Sequence, residues 1–205
     1  LPPILYYEKI KIIMSFLVGK KVDMVKKEKL GNIKNIRENN RRVARTRRQR
    51  GYQWEDTLVK RFNSVPNWKA FRLGSPSIAL PDILVVNNTK SIIFTAEAKS
   101  GTGTTLQVPF DQIERCLNWT NNFQVYTTRK VILAFKFLSK KRIGVGKYEN
   151  RKLHEFYKIW DDNKKAINCV CTYDGNMYTL TNGVREKLHL KDLHTPFKAK
   201  YQITS

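Results

Sequence analysis

Asp82, Glu97 and Lys99 are the residues of this sequence whose types and spacing best suit chemistry. Asp82 follows a proline and opens the apolar run 83–86, and Glu97 and Lys99 end a second run that begins at residue 91. Hard divalent cations such as Mg²⁺ bind carboxylate oxygens and keep several of their waters. The metal lowers the pKa of its bound water and neutralises charge that builds up on a phosphate. A lysine beside that water can orient it, so the triplet is typical of a metal-dependent phosphodiesterase.

The two runs predict one β-hairpin that brings these side chains together. Residues 87–90 between the runs have turn chemistry, because asparagine tolerates left-handed backbone angles. If the hairpin closes in the middle of that stretch, Asp82 pairs with Thr95 or Ala96, and Glu97 becomes its diagonal neighbour. A slip of one residue would move Asp82 to the other face of the sheet, so the site depends on this register.

Alternation along the second run separates apolar from polar side chains. Successive side chains of a strand point to opposite faces. One face carries Ile92, Phe94, Ala96 and Ala98, and the other carries Ile93, Thr95, Glu97 and Lys99. As isolated residues, Asp82 would only begin a strand, and Glu97 and Lys99 would form a surface pair. The convergence of the charges at one end of one face favours the catalytic interpretation.

The charge of the chain indicates a polyanionic partner. The 205 residues include 39 Lys and Arg against 17 Asp and Glu, which gives a net charge of +22 and an isoelectric point near 10.1. Residues 20–50 alone hold thirteen Lys and Arg, and residues 41–50 form an arginine-rich arm. Such arms bind phosphate backbones with little sequence preference and strong salt dependence. We expect DNA or RNA rather than a membrane surface, because no large amphipathic apolar face accompanies these charges.

The chain is long enough to bury one good core. We expect residues 1–47 to form a basic, partly disordered extension, with residues 1–23 outside the fold. Residues 48–140 are predicted to form the core. Residues 141–205 are predicted to form an extension packed on that core, and their sequence indicates no role for it.

The three cysteines do not predict a disulfide framework, because they are odd in number and lack metal-ligand spacing. Cys169 and Cys171 flank one residue, so a strand would place both thiols on the same face, and we expect a buried pair. The chain has the character of an intracellular protein, either cytoplasmic or nucleoid-associated.

The predicted core begins with a helix near Gly51. Its apolar stripe consists of Trp54, Leu58 and Phe62. Glu55 lies on the border of that stripe, either as an ordinary boundary residue or aimed at the site from behind. Residues 68–73 alternate like a half-buried strand, and the loop 74–77 leads into the hairpin.

A second helix is predicted over residues 108–117, with Pro109 suited to its first position. Its predicted apolar face consists of Phe110, Ile113 and Leu117. Residues 130–138 have the composition of a buried strand. The order helix, three strands, helix and strand predicts an α/β sandwich around a mixed sheet.

These elements and residues together resemble the PD-(D/E)xK nuclease superfamily. The pattern consists of Glu55 on the first helix, Asp82 after a proline, Glu97-x-Lys99, and Gln112 on the following helix. Further matches around residues 50–51, 58–59 and 72–75 are most similar to archaeal Holliday-junction resolvases. The resemblance covers about residues 48–138 and implies a restriction-endonuclease-like core, with a mixed central sheet flanked by helices.

The resemblance implies a role for each matched residue. Asp82 and Glu97 would hold Mg²⁺, or Mn²⁺, with the backbone carbonyl of Ala98 as a further ligand and Glu55 completing the acidic site. Lys99 would position or help to activate the attacking water. The family carries a serine on the loop before the aspartate, for which Ser75 is the first choice and Ser77 the second.

Nucleic acid is expected to contact the basic arm and the core. The predicted contacts are Arg45, Arg47, Arg48, Arg50, Arg72 and Gln112. Gln112 is equally well explained as support for the site or as a solvent-facing residue. Because resolvases cut two symmetric strands, the resemblance also implies a homodimer with an isologous interface.

The sequence therefore predicts a metal-dependent endonuclease that hydrolyses DNA phosphodiester bonds, with a four-way junction as the expected substrate. A restriction, repair or homing nuclease of the same fold is the alternative among enzymes. A basic DNA-binding module with a structural acidic cluster is the alternative from another class. In the segment 141–205, aromatic residues that could stack on unpaired bases are better explained as core packing.

Overall fold

The computed structural model describes residues 36–73, 79–138, 140–161, 164–181 and 184–198. The chain divides into two units, residues 1–47 and 48–205. In the first unit the described residues 36–47 are helical, and in the second unit residues 48–63 form helix α1. The expectation that residues 1–23 lie outside the fold concerns residues beyond the described ranges. Within those ranges, no helix is long and apolar enough to cross a membrane.

The second unit is built on a six-stranded mixed sheet. In spatial order its strands are β1 (Lys69–Arg72), β2 (Ile83–Asn87), β3 (Ile92–Gly101), β5 (Thr128–Phe137), β8 (His154–Ile159) and β12 (Lys191–Asp192). The central neighbours β3 and β5 run parallel over their whole length, and all other neighbours are antiparallel. The predicted mixed α/β fold with a central sheet flanked by helices is therefore confirmed.

Each face of this sheet supports its own hydrophobic core. Helix α1 covers one face, where its buried stripe of Trp54, Leu58 and Phe62 packs on Phe94, Ala96 and Ala98 of β3. The predicted stripe of this helix is confirmed. Helix α2 (Phe110–Asn122) covers the other face, where Ile113 and Cys116 pack on alternate residues of β5.

A four-stranded sheet completes the second layer on the side of α2. Its strands are β4 (Thr105–Val108), β9 (Cys169–Thr172), β10 (Met177–Thr181) and β11 (Val184–Leu188). The chain also forms a separate two-stranded hairpin of β6 (Lys140–Arg142) and β7 (Tyr148–Asn150). Cys169 and Cys171 are free and buried in β9, as predicted. Part of the segment 141–205 thus contributes to the central sheet itself, through β8 and β12.

Helix α2 differs from its prediction at its start. Val108 ends strand β4, so the helix begins two residues later than expected, and Pro109 is its N-cap with extended backbone angles. Phe110 was expected on the apolar face but is 48% exposed. The buried positions of the helix are Ile113, Cys116 and Thr120. Local periodicity could not reveal this, because the preceding strand sets the rotation of the helix.

The β2–β3 hairpin forms as predicted, but its register is different. Asn87 is buried at the end of β2, and its side chain accepts a hydrogen bond from the Lys90 backbone N–H at 3.0 Å. The turn therefore ends at Ser91, which has a positive φ of 51°. Ile83 pairs with Ala96, so the same register brings Asp82 opposite Glu97 rather than Thr95 or Ala96. Residues directly opposite share a face, and this register keeps the two carboxylates together.

A buried ion pair fixes α1 to the sheet. Arg61 of α1 donates to both carboxylate oxygens of Glu155 on β8, at 2.6 and 3.1 Å, and also to the Tyr157 hydroxyl at 2.9 Å. The Tyr157 hydroxyl in turn donates to Glu155 at 3.2 Å. The Glu155 side chain is only 1% exposed, so its charge depends on these partners. The burial of Tyr157, with Glu155 beside it, raises the pKa of its hydroxyl.

Removing the cation of this network should destabilise the protein strongly. We expect Arg61→Met to lower the free energy of unfolding by about 3–5 kcal/mol, because it leaves the buried Glu155 carboxylate without its counter-ion. Urea denaturation followed by circular dichroism measures this change. Asp56→Asn is the matched control, because Asp56 pairs with Arg72 at the surface, where ion pairs contribute about 0–1 kcal/mol. Equal effects of the two substitutions would contradict this prediction.

Candidate active site

Asp82, Glu97 and Lys99 lie at one end of the central sheet. Asp82 immediately precedes β2, and Glu97 and Lys99 belong to the last part of β3. The Asp82 Oδ2 atom accepts a hydrogen bond from the backbone N–H of Ala98 at 2.9 Å, which holds this carboxylate against β3. The structure therefore brings together the three residues that the sequence singled out.

Glu97 is held between two cations. Its side chain is 1% exposed; Oε1 accepts from Lys99 Nζ at 2.7 Å, and Oε2 accepts from Arg115 Nη2 at 3.1 Å. Burial raises the pKa of Glu97, and the Asp82 charge adds to this effect, whereas Lys99 and Arg115 oppose it. Because the raising effects outweigh the lowering ones, the charged form of Glu97 is costly in the folded protein. A further cation would stabilise that charged form.

Glu55 extends the acidic cluster from α1. Its carboxylate is buried, and its Oε2 atom has no hydrogen-bond partner among the described residues. The nearest cation to that oxygen is Arg72 Nε, at 3.8 Å. Burial, followed by the charge of Asp82, raises the pKa of Glu55 to about 7, and Glu97 contributes in the same direction. Glu55 is thus close enough to Asp82 and Glu97 for their charges to act on it, and its role at the site stays a prediction.

The donor set suits a hard divalent cation. A buried carboxylate oxygen without a hydrogen-bond partner beside two further carboxylates is a place where a cation would lower the free energy. Within the described ranges, no group of three or more His, Cys, Asp and Glu is gathered tightly enough to hold a metal by itself. Mg²⁺ commonly uses one or two carboxylates and fills its shell with water, so the residues fit this ion.

The other residues that the sequence predicts for the site or the DNA interface have to be considered one by one. Ser75 and Ser77 lie outside the described residues. Arg72 ends β1 and contacts carboxylates, since its Nη1 atom donates to Asp56 at 3.2 Å. Gln112 is on α2, and its Oε1 atom is buried without a hydrogen-bond partner among the described residues. Because this oxygen is buried, the side chain does not face solvent freely, and its role stays a prediction.

The arginine arm is helical and exposed. Arg45 and Arg47 belong to the first unit, and Arg48 and Arg50 to the second. All four are exposed, as a phosphate-binding surface requires. The predicted contact of each of these four arginines with nucleic acid stays a prediction.

Arg115 is the site residue that the sequence analysis missed. It lies on α2, one turn after Gln112, and reaches Glu97 across the layer between helix and sheet. A signal was present in the sequence, because Arg115 stands between the apolar residues Ile113 and Cys116. A cation at such a position is half-buried and requires a carboxylate partner.

A cleft of about 520 Å³ adjoins the site end of the sheet. Its lining includes Arg50, Trp54, Lys60, Ser100 and Lys136. Lys136 Nζ lies 5.0 Å from the centroid of the Trp54 ring. Burial lowers the pKa of Lys136, so an added anion would stabilise its charged form.

Comparisons with known proteins give a distant structural similarity. No protein-family model matches the chain, and no curated protein matches it in sequence. Among solved structures, the chain is similar to Hjc, a Holliday junction resolvase from the archaeal hyperthermophile Archaeoglobus fulgidus. The TM-score is 0.40 at 15% sequence identity, and the match covers 61% of this chain and 85% of that chain. At this level of similarity, the function has to be argued from the geometry of the site.

Glu55 should make the stability of the metal-free protein depend on pH. Its pKa of about 7 in the folded state exceeds its ordinary value of 4.5, so the folded protein binds more protons in this window. The contribution of Glu55 to the free energy of unfolding is therefore largest below pH 4.5. It falls by about 3 kcal/mol as the pH rises to 7. Urea denaturation in the presence of a chelator should show this slope in the wild type and lose it in Glu55→Gln. Glu114→Gln, which removes an exposed carboxylate, should keep the slope. Parallel curves for wild type and Glu55→Gln would contradict the assignment.

Proposed function

We propose that this protein is a metal-dependent endonuclease that hydrolyses DNA phosphodiester bonds. One observation carries the proposal: the Asp82 carboxylate is bonded to the Ala98 N–H beside the buried Glu97. Lys99 lies on β3 together with Glu97, and Glu55 adds a carboxylate oxygen without a hydrogen-bond partner among the described residues. This is the set of groups from which a site for Mg²⁺ and an oriented water can be built.

Each residue has a defined task in this proposal. When bound, Mg²⁺ or Mn²⁺ would lower the pKa of its water and neutralise charge on the phosphate. Asp82 and Glu97 would hold the ion, with the Ala98 carbonyl as a further ligand, and Glu55 would complete the acidic shell. Lys99 would orient the attacking water for in-line displacement, which in the family that the chain resembles leaves 5′-phosphate ends.

Glu97 must exchange partners for this chemistry. Both of its oxygens accept hydrogen bonds from cations, so binding of a metal would displace at least one of them. Lys99 is the more exposed of the two, with a side chain 24% exposed against 14% for Arg115. Its departure would free an ammonium group for the water, while Arg115 would continue to orient the other oxygen of Glu97.

DNA is the proposed substrate because of the charge of the protein. The net charge of +22 and the exposed arginines at residues 45–50 suit a phosphate backbone. The cleft with Lys60 and Lys136 supplies further cations near the site. The finer proposal is a branched substrate, a four-way junction, cut by a homodimer; it follows from the resemblance to archaeal resolvases. A restriction, repair or homing nuclease is the alternative within the same chemistry.

A non-catalytic DNA-binding module is the second candidate. The observation in its favour is that both oxygens of Glu97 are already paired with cations, as in a structural ion pair. In the described part of the chain, moreover, no ready-made group of three metal ligands exists. Such a module would bind DNA and never cut it.

Substitution of the acidic residues should separate cutting from binding. We expect Asp82→Ala and Glu97→Gln to reduce cleavage at least about a hundredfold, because each removes a ligand or its charge, while DNA binding persists. Asp111→Ala, which removes an exposed carboxylate of α2, is the matched control. Cleavage assays with Mg²⁺ and with Mn²⁺ measure the first quantity, and gel retardation with a chelator measures the second.

The same assays distinguish the candidates when the DNA is varied. A four-way junction and a linear duplex of the same sequence are compared at equal concentrations. Cleavage of the junction alone supports a resolvase, and cleavage of both supports a restriction or repair nuclease. If the wild type retards both DNAs and cuts neither with either metal, the binding module is the correct function.

The arginine arm should control the salt dependence of binding. Replacing Arg45, Arg47, Arg48 and Arg50 by alanine keeps helix-forming residues but removes the cations that would pair with up to four phosphates. The slope of log K against log salt should then become shallower by about 0.9 for each phosphate that the variant no longer neutralises. Fluorescence anisotropy from low to high salt measures the slope. Replacement of Arg185 and Lys187 on β11 is the control and should leave it unchanged. An unaltered slope in the arm variant would remove the arm from the DNA interface.

A further inference from the structure

The hairpin of β6 and β7 stands apart from both larger sheets. Among the described residues, its two strands pair only with each other, from Lys140 opposite Asn150 to Arg142 opposite Tyr148. The Ile143 N–H donates to the Lys147 carbonyl at 3.1 Å, which closes the turn, and Gly146 has a positive φ of 67°. The hairpin is therefore a defined projection rather than part of a core.

This hairpin leaves the sheet at the end that carries the candidate site. Its first strand follows β5, whose Phe137 pairs with Gly101, two residues beyond Lys99 on β3. Its second strand leads to β8, whose His154 also pairs with Phe137. Arg151 at its base donates to the backbone carbonyls of Thr102 and Gly103, in the loop that follows β3. The base of the hairpin is thus tied to the strand that carries Glu97 and Lys99.

The tip of the hairpin exposes apolar side chains. Val145 is 92% exposed, Ile143 60% and Tyr148 58%. Single exposed apolar residues are common on protein surfaces, but three within six positions of one projection form a patch. Such a patch is costly in water and indicates a surface that becomes covered.

The charge around the patch indicates what covers it. Residues 139–152 contain six Lys and Arg and a single acidic residue, Glu149. An apolar protein surface gives no use to so dense a cluster of cations, and an acidic one would pair with the cations but not with the apolar tip. Nucleic acid offers both phosphates for the cations and base faces for the apolar tip. Proteins that distort DNA combine these features, with apolar wedges inserted between bases and basic flanks on the backbone.

We propose that the β6–β7 hairpin is a wedge that inserts Ile143, Val145 and Tyr148 among unstacked bases of DNA next to the site. The exposed basic residues Lys147 and Lys152 of this segment hold the neighbouring phosphates. The proposal rests on the proposed action on DNA and deepens it, because a wedge selects DNA whose bases are easily unstacked, as at a branch point. Fully paired duplex opposes insertion by the cost of unstacking.

The test measures base unstacking without cleavage. A four-way junction carries 2-aminopurine at its branch point, and the protein is added in the presence of a chelator. Wild-type protein should increase the fluorescence, because the base leaves its stack. The triple variant Ile143→Ser, Val145→Ser, Tyr148→Ser should lose this increase and bind the junction about tenfold more weakly, with affinity for duplex changed less than about twofold.

The controls separate the wedge from the nuclease. Val125→Ser removes an exposed apolar residue at the opposite end of the sheet and should behave as wild type. Asp82→Ala should keep the fluorescence increase, because the measurement does not depend on cleavage. The wedge proposal is therefore tested independently of the nuclease proposal. An unchanged signal in the triple variant, or an equal loss of affinity for duplex, would overturn the wedge. A change of molecular mass in solution would instead identify a second copy as the partner of the hairpin and would also overturn it.

Discussion

The two-faced burial of strand β3 is the constraint on which the rest of the structure depends. Its parallel neighbour β5 and its antiparallel neighbour β2 leave it no edge, and helices cover both of its faces. Every side chain of its middle part must therefore enter one of two dry layers. Glu97 follows from this rule as directly as Phe94 or Ala96 does, although it is charged. The position is costly for a carboxylate, and neighbouring groups have to offset that cost.

The buried carboxylates Glu155 and Glu55 differ in how completely their oxygens are hydrogen-bonded. Glu155 has a bidentate arginine and a tyrosine hydroxyl, so its hydrogen bonds are satisfied within the fold. Glu55 has an oxygen without a hydrogen-bond partner among the described residues, and its pKa is raised to about 7. Leaving a buried polar group unpaired costs about 1–3 kcal/mol. An unpaired buried carboxylate oxygen of this kind is expected at a functional site rather than in a part of the protein that only supports the fold.

How far the sequence predicts this molecule differs between its parts. The apolar stripe of α1 and the hairpin of β2 and β3 followed from periodicity, since local patterns determine them. The exact register did not, because the buried side chain of Asn87 caps the turn and brings Asp82 opposite Glu97 rather than Thr95 or Ala96. Arg115 was missed because its partner is distant in sequence, and Phe110 was misplaced because strand β4 decides how α2 is rotated. Long-range packing therefore limited the prediction of the site.

The position of β8 in the central sheet has a consequence for how the protein is made. Residues 154–159 lie next to β5 in space but follow it after a long excursion through the β6–β7 hairpin. During synthesis, the edge of β5 stays without its neighbour until these residues have left the ribosome. An open apolar strand edge is a template for pairing with other chains. The hairpin thus lengthens the period in which the nascent chain is vulnerable to aggregation, and a shorter connection would shorten it.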